Sequence, residues 1–288
     1  MQIVTDSGTD ISLSPEEQQE LNIHIVPLNV SLDNVTYREG VDIQPANFYP
    51  LLTETEDMPT TSQPSAGEFA DTYRKILEYD QDILSIHISS GLSGTYNSAL
   101  AGAQMLPEAN ITVIDAKTLS AAAGWQVEAA AKAIKKGWEV DKVKSLLERI
   151  SAASDSIYTL NELKYLIHGG RISHMKGLVA SILNIKPLIG VEKEGGTYVQ
   201  LGQVRTIKRA VQGLVNIIGE EHPPGAALRV QVLHAYNFEG AAMLKDLIDK
   251  SYECSWLPEG HISLVLGAHT GPSMIGAAYA LQEEFADL

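Results

Sequence analysis

The sequence predicts an α/β protein of two domains, a wound α/β sheet in the N-terminal half and a two-layer α/β unit in the C-terminal half. Three observations carry this prediction. The chain has 288 residues, about two domains at the usual ~150 residues each. In the first half, short β-branched runs alternate with longer helical patterns, as in a sheet wound through crossover helices. Past Leu188 the pattern changes to a hairpin followed by alternating helices and strands.

Ile3-Val4, Ile23 to Val26, Ile83 to Ile88 and Ile111 to Ile114 read as buried parallel strands. Ser14-Pro15-Glu16-Glu17 and Ser65-Ala66-Gly67-Glu68 match the capping box and mark helix starts, the first with Pro at N1. From about residue 26 to 50 the alternation breaks. Val30-Ser31-Leu32, an Asp33-Asn34 turn and Val35-Thr36-Tyr37 form a hairpin-like insertion there. Ala116 to about Ala153 reads as two helices, the first Ala-rich, the second with Val143, Leu146, Leu147 and Ile150 at helical spacing. A boundary near Ser151 to Ser156 divides the chain into domains of residues 1–153 and 154–288.

The second domain opens with a helix over Leu160 to His168, stopped by Gly169-Gly170, and another around Leu178 to Leu183. Leu188 to Val191 and Thr197 to Leu201 flank the turn Glu192 to Gly196 as an antiparallel hairpin. A helix over Thr206 to Ile218, a strand over Leu228 to Leu233, a helix over Glu239 to Lys250 and a strand over Ile262 to Leu266 follow.

Composition narrows the function. A hydrophobic content of 44% supplies two cores, and a formal charge of −15 repels phosphate backbones and anionic headgroups. A nucleic-acid partner is not expected. The single Cys254 forms neither an internal disulfide nor a Cys-type zinc site, which suits a reducing, cytoplasmic compartment. The N-terminus reaches Asp6 before any apolar leader forms, and no window of eighteen uncharged apolar residues predicts membrane insertion.

Three segments combine Gly, hydroxyls and a helix start, a pattern that presents backbone N–H groups to an anion. Ser89-Ser90-Gly91-Leu92-Ser93-Gly94-Thr95 follows a strand and precedes a helix, where an open α/β sheet places its ligands. Helix capping by Ser93 and Thr95 explains the same residues. Thr5-Asp6-Ser7-Gly8 reaches the same rim, and an Asx-turn accounts for it without function. Met58 to Ser65 is a hydroxyl-rich loop stiffened by two prolines, carrying Thr61 and Ser62. Gly169-Gly170-Arg171-Ile172 sets a guanidinium on a Gly turn, and Gly267 to Pro272 places His269 after the last strand at the start of a last helix.

Other chemistries lack their patterns. There is no phosphate-binding P-loop and no Gly-x-Gly-x-x-Gly. Gly91-Leu92-Ser93-Gly94-Thr95 is one residue short of a nucleophile elbow, leaving an acyl hydrolase built on Ser93 and His269 as the enzymatic alternative. His168 and His174 straddle a Gly-Gly turn, and no metal site is expected.

Taken in order, Thr5-Asp6-Ser7, Thr61 to Ser65, Ser89 to Tyr96, Gly169 to Ile172, Val204-Arg205-Thr206 and His269 to Pro272 resemble the DegV family over nearly the whole chain. That resemblance implies a non-catalytic bacterial fatty-acid-binding protein of FakB type, holding one acyl chain in a tunnel between two α/β domains, with no cofactor. It further implies that Thr61, Ser62, Ser93 and His269 hold the carboxyl, with Ser89, Gly91 and Gly94 in the same loop, and that Arg171 serves the head group, above all once it is an acyl phosphate. The implied partner is a fatty acid kinase docking at Arg205; a lipid-free subunit of a small-molecule kinase is a further alternative. Ser273, Ile167-His168 and Gln203 depart from the usual family pattern.

Overall fold

The computed structural model describes residues 1–173, 175 and 185–288, so the helix expected at Leu178 to Leu183 lies outside the described residues, as does His174. The first half builds a parallel sheet from β1 (Gln2–Asp6), β2 (Ile23–Val26), β6 (Asp82–His87) and β7 (Asn110–Asp115), in the order β2-β1-β6-β7. Both predicted capping boxes form, at Ser14 for α1 (Pro15–Glu20) and at Ser65 for α3 (Ala66–Leu77). α3 buries Phe69, Ala70, Tyr73 and Ile76, a helical stripe laid against Val4, Val26 and Ile83. α4 (Thr95–Gln104) follows β6.

The insertion is a hairpin of β3 (Asn29–Leu32) and β4 (Val35–Arg38). Asp33 and Asn34 both have positive φ, 50° and 62°, as a two-residue type I′ turn requires. After α2 (Pro45–Glu54) the chain returns to this hairpin, and β5 (Thr60–Ser62) pairs antiparallel with β3. The expected loop at 58–65 is therefore partly a strand. Its partner lies some thirty residues upstream in sequence, so no local pattern announced the pairing.

α5 (Ser120–Lys135) is buried along most of its length, and its alanines let other layers approach closely. A Cβ at Gly124 would come within 2.3 Å of the Thr9 carbonyl oxygen. α6 (Val140–Ala153) buries Val143, Leu146, Leu147 and Ile150, the predicted stripe.

The second half forms a mixed sheet from β8 (Asp155–Thr159), β9 (Lys186–Val191), β10 (Tyr198–Val204), β11 (Ala227–His234), β12 (Glu253–Trp256), β13 (Gly260–His261) and β14 (Ile275–Leu281). The order is β10-β9-β8-β14-β11-β12, with β13 also on β11. α8 (Ile207–Glu221) and α9 (Phe238–Asp249) cover one face, packing Val211, Leu214, Leu244 and Ile248 over Val230, Val232 and Tyr279. The opposite face meets α5, the Ala-rich helix of the first half. One apolar cluster joins Ile3, Val30, Tyr49 and Trp125 to Ile189, Leu233 and Leu264, so the two sheets share a core.

Three expectations are corrected here. Leu160 to Leu163 is not helical, and α7 begins only at Lys164, running to His168. Ile262 to Leu266 is not a strand: α10 (Leu264–Thr270) starts within it. A short apolar run has no period that separates a buried strand from a buried helix, and all seven residues of α10 are buried. Consequently His269 lies in the last turn of α10, and the final long element is the strand β14.

Candidate functional site

The carboxyl end of the first sheet, the three-stranded insertion and α10 converge on one pocket. Its walls include Leu28, Ile88, Leu92, Leu119, Val265 and Leu266, and its polar groups come from Thr61, Ser62, Gln63, Ser93, Arg171, Tyr198 and His269. Thr61 Oγ1 and His269 Nε2 lie 2.7 Å apart, joining β5 to α10 across 208 residues of sequence. Arg171 follows α7; its Nη1 donates to the Gly169 carbonyl at 2.6 Å and its Nε to the Leu92 carbonyl at 3.3 Å. These two bonds fix the guanidinium at the pocket with donor capacity to spare.

Ser93 Oγ sits 2.8 Å from Thr95 Oγ1 and accepts the Thr95 N–H at 3.3 Å, while Gly94 is the N-cap of α4. Capping and pocket lining thus coexist at Ser93. Ser89, Gly91 and Gly94 of that loop pack rather than line. Ser89 is fully buried and its Oγ accepts the Gly91 N–H. A Cβ at Gly91 would fall 2.3 Å from the Gly195 carbonyl oxygen, and one at Gly196 would fall 2.0 Å from Ser89 Oγ. Ser89 and Gly91 therefore seat the β9–β10 turn on the first half. Glu192 preforms that turn by accepting the N–H groups of Glu194, Gly195 and Thr197. Gly94 leaves room for the Gln63 side chain, whose Nε2 would be 2.8 Å from a Cβ there. Ser62 is exposed at the rim, and Arg205, exposed beyond β10, stands apart from this pocket's lining.

Gln63 and Tyr198 line the pocket without having been anticipated as site residues; Gln63 falls inside the Thr61 to Ser65 motif, and no pattern marks Tyr198. Asp6 forms the expected Asx-turn, its Oδ1 accepting the Gly8 N–H at 3.0 Å. Its Oδ2 does more, accepting from His87 Nδ1 at 2.9 Å and from the Ile88 N–H at 3.1 Å. His87 Nε2 is 2.7 Å from Ser85 Oγ, which is 2.8 Å from the Tyr73 hydroxyl. This Asp-His-Ser chain is wholly buried and positions Ile88, a pocket wall. Ser93 and His269 share the pocket but bond to Thr95 and Thr61 rather than to each other.

Burial, with Arg171 and His168 adding repulsion, brings His269 down to about 4. The ring is therefore neutral at pH 7, and its Nδ1 lies against Gly169 with no partner. An unfolded histidine takes its proton near the ordinary 6.5, so the stability linked to the neutral ring is present above 6.5 and is lost as pH falls through about 4. The thermal midpoint should fall more steeply between pH 7 and pH 4.5 in the native chain than in His269→Gln. Equal slopes would contradict this.

Among the described residues, no group of three or more His, Cys, Asp or Glu is placed to hold a metal ion, and no helix is long and apolar enough to cross a membrane. The family model described as DegV, an uncharacterised protein family, matches residues 1–282. The chain belongs to the DegV family. A DegV domain-containing protein of Halalkalibacterium halodurans is 32% identical over 282 residues, 98% of each chain. One from Staphylococcus aureus is 34% identical over 274 residues, 95% of this chain and 96% of the relative. Among solved structures, a fatty-acid-binding DegV-family protein of Thermus thermophilus superposes with a TM-score of 0.86 at 29% identity, covering 97% of this chain and 99% of the other. DegV of Bacillus subtilis, a fatty acid binding protein, gives 0.86 at 28% identity over 98% and 99%. A stearic-acid-binding protein of Eubacterium ventriosum gives 0.82 at 26% over the full length of both.

Proposed function

We propose that this DegV protein binds one long-chain fatty acid between its halves, residues 1–153 and 154–288, and presents the carboxyl group without reacting it. The observation that carries this reading is the Thr61–His269 pair beside the Arg171 guanidinium, on a pocket whose remaining walls include Leu28, Ile88, Leu119, Val265 and Leu266. A hydroxyl, a neutral imidazole and a fixed cation hold a carboxylate by hydrogen bonds and charge, and Ser93 bonds to Thr95 rather than to the imidazole. Leu119 also borders a second apolar pocket, which runs past Ala121, Tyr158 and Gly276 to Ala278 between α5 and the second sheet. We place the tail along this direction. Burying about fourteen methylenes at ~0.8 kcal/mol each contributes roughly 11 kcal/mol before ordering costs, so the tail supplies affinity and the head group sets orientation.

Fatty-acid binding by the solved relatives supports the same reading. By family resemblance, a cytoplasmic fatty acid kinase is the partner that receives the carboxyl, with Arg205 on its docking face. Native mass spectrometry of freshly purified protein should find a stoichiometric fatty acid, released on denaturation. Thr61→Val should bind oleate roughly tenfold more weakly. An empty protein that also refuses oleate and palmitate would sink the proposal.

A further inference from the structure

We infer that Glu39, assisted by Asp10, is a positioning residue of this site: it fixes the N-terminus of α10 and so holds His269, at the other end of that helix, against Thr61. The fatty-acid reading enters only through the consequence for ligand release. Glu39 follows β4 and is 8% exposed. Its Oε2 accepts from Ser7 Oγ at 2.7 Å and Ser263 Oγ at 2.8 Å, and its Oε1 accepts the Leu264 N–H. Asp10 Oδ1 accepts the Ser263 N–H at 2.7 Å, and Asp10 Oδ2 accepts from Ser120 Oγ at 2.5 Å.

These bonds go where α10 needs them. The first N–H groups of a helix have no partner within it, and the Ser263 side chain does not cap α10. Carboxylates from the other half of the molecule take that role, favoured there by the helix dipole. A helix of seven residues has little stability of its own, so its placement depends on its anchors. Glu39 also reaches the other member of the pair. Its N–H donates to the Leu28 carbonyl at 2.9 Å, next to β3, where Val30 pairs with Thr61. Tyr49 completes the clamp, its hydroxyl donating to the Ile262 carbonyl at 2.8 Å.

The titratable groups facing Glu39 are Asp6 and Asp10 from the first strand and its turn, and Tyr49 from α2. Among the described residues no cation pairs with it. Burial raises Glu39 to about 7 against the lowering effect of its three donors. The folded chain thus holds this proton more tightly than an unfolded one, whose carboxyl ionises near 4.5. Its favourable contribution to stability is present below 4.5 and is lost as pH rises through 7. Glu39→Leu fills similar space without the buried charge but offers the Leu264 N–H and the Ser263 hydroxyl no acceptor, and so disturbs α10. A purely structural role predicts a lower midpoint and an unmoved His269.

The test compares native chain and Glu39→Leu, both ligand-free, by hydrogen exchange of the 263–271 segment at pH 8 and by NMR titration of the His269 imidazole. Oleate release to vesicles of neutral phosphatidylcholine follows. The variant should exchange roughly tenfold faster in this segment, show a His269 titration moved toward 6.5, and release oleate roughly tenfold faster, equally at pH 6 and pH 8. Unchanged exchange and an unchanged His269 titration would overturn the inference. So would a lower midpoint with His269 unmoved. Ser263→Ala, which removes one donor, should shift both readouts in the same direction; no shift there also overturns it. Failure of the fatty-acid reading shows separately, as a native chain that does not bind oleate, and leaves the first two readouts to decide.

Discussion

Asp6→Ala should destabilise the protein by about 3–5 kcal/mol, read from urea unfolding. Asp6 and His87 are both fully buried, and the carboxylate is the acceptor for His87 Nδ1 and for two backbone N–H groups, those of Gly8 and Ile88. Alanine leaves all three donors in a dry interior without partners. Solvent cannot repair the loss, because Ser85 and Tyr73, which continue the chain, are buried as well. Asp6→Asn keeps the volume and one acceptor and should cost less than half as much. If Asp6→Ala unfolds at the native urea midpoint, the buried chain is not a source of stability.

Gly169→Ala should weaken fatty-acid affinity roughly 10–100-fold while leaving the helical content unchanged. A Cβ at Gly169 would lie 2.0 Å from His269 Nδ1 and 2.7 Å from its Cε1, so the ring must leave its place opposite Thr61. His269 is only 8% exposed and has little room to move without giving up that bond. The backbone itself tolerates alanine, since Gly169 has φ −71°. Gly170→Ala is the control. Gly170 has φ +75° and nothing within 4 Å of a Cβ, so alanine there strains the chain, at about 1 kcal/mol, without touching His269. Displacement of a fluorescent fatty acid compares the two. Equal affinities would show that His269 is not held by this contact.

What the sequence made legible was local. The Asp33-Asn34 turn, both capping boxes and the helical stripe of α6 each rest on residues a few positions apart, and all formed. The errors fell where distant residues decide. Nothing near Ile262 to Leu266 says that Asp10 and Glu39 will anchor a helix start there. Thr61 read as loop because its strand partner is Val30. Gly91 read as an anion cradle because a glycine kept for close packing looks the same in sequence as one kept for a ligand. A signal that was overlooked lay in β6. Ser85 and His87, two apart in an apolar strand, had to share a face and find partners inside.

The pairing of Thr61 with His269 sets an order of events during synthesis. At ~5–20 residues per second, a ribosome adds the 208 residues between them in roughly 10–40 s. Throughout that time the nascent chain can complete the sheet β2-β1-β6-β7 and the insertion beside it, yet it has no imidazole to set against Thr61. An emerging chain therefore cannot close the Thr61–His269 pair until α10 has been made, and on the proposed reading firm capture of a lipid waits for that helix.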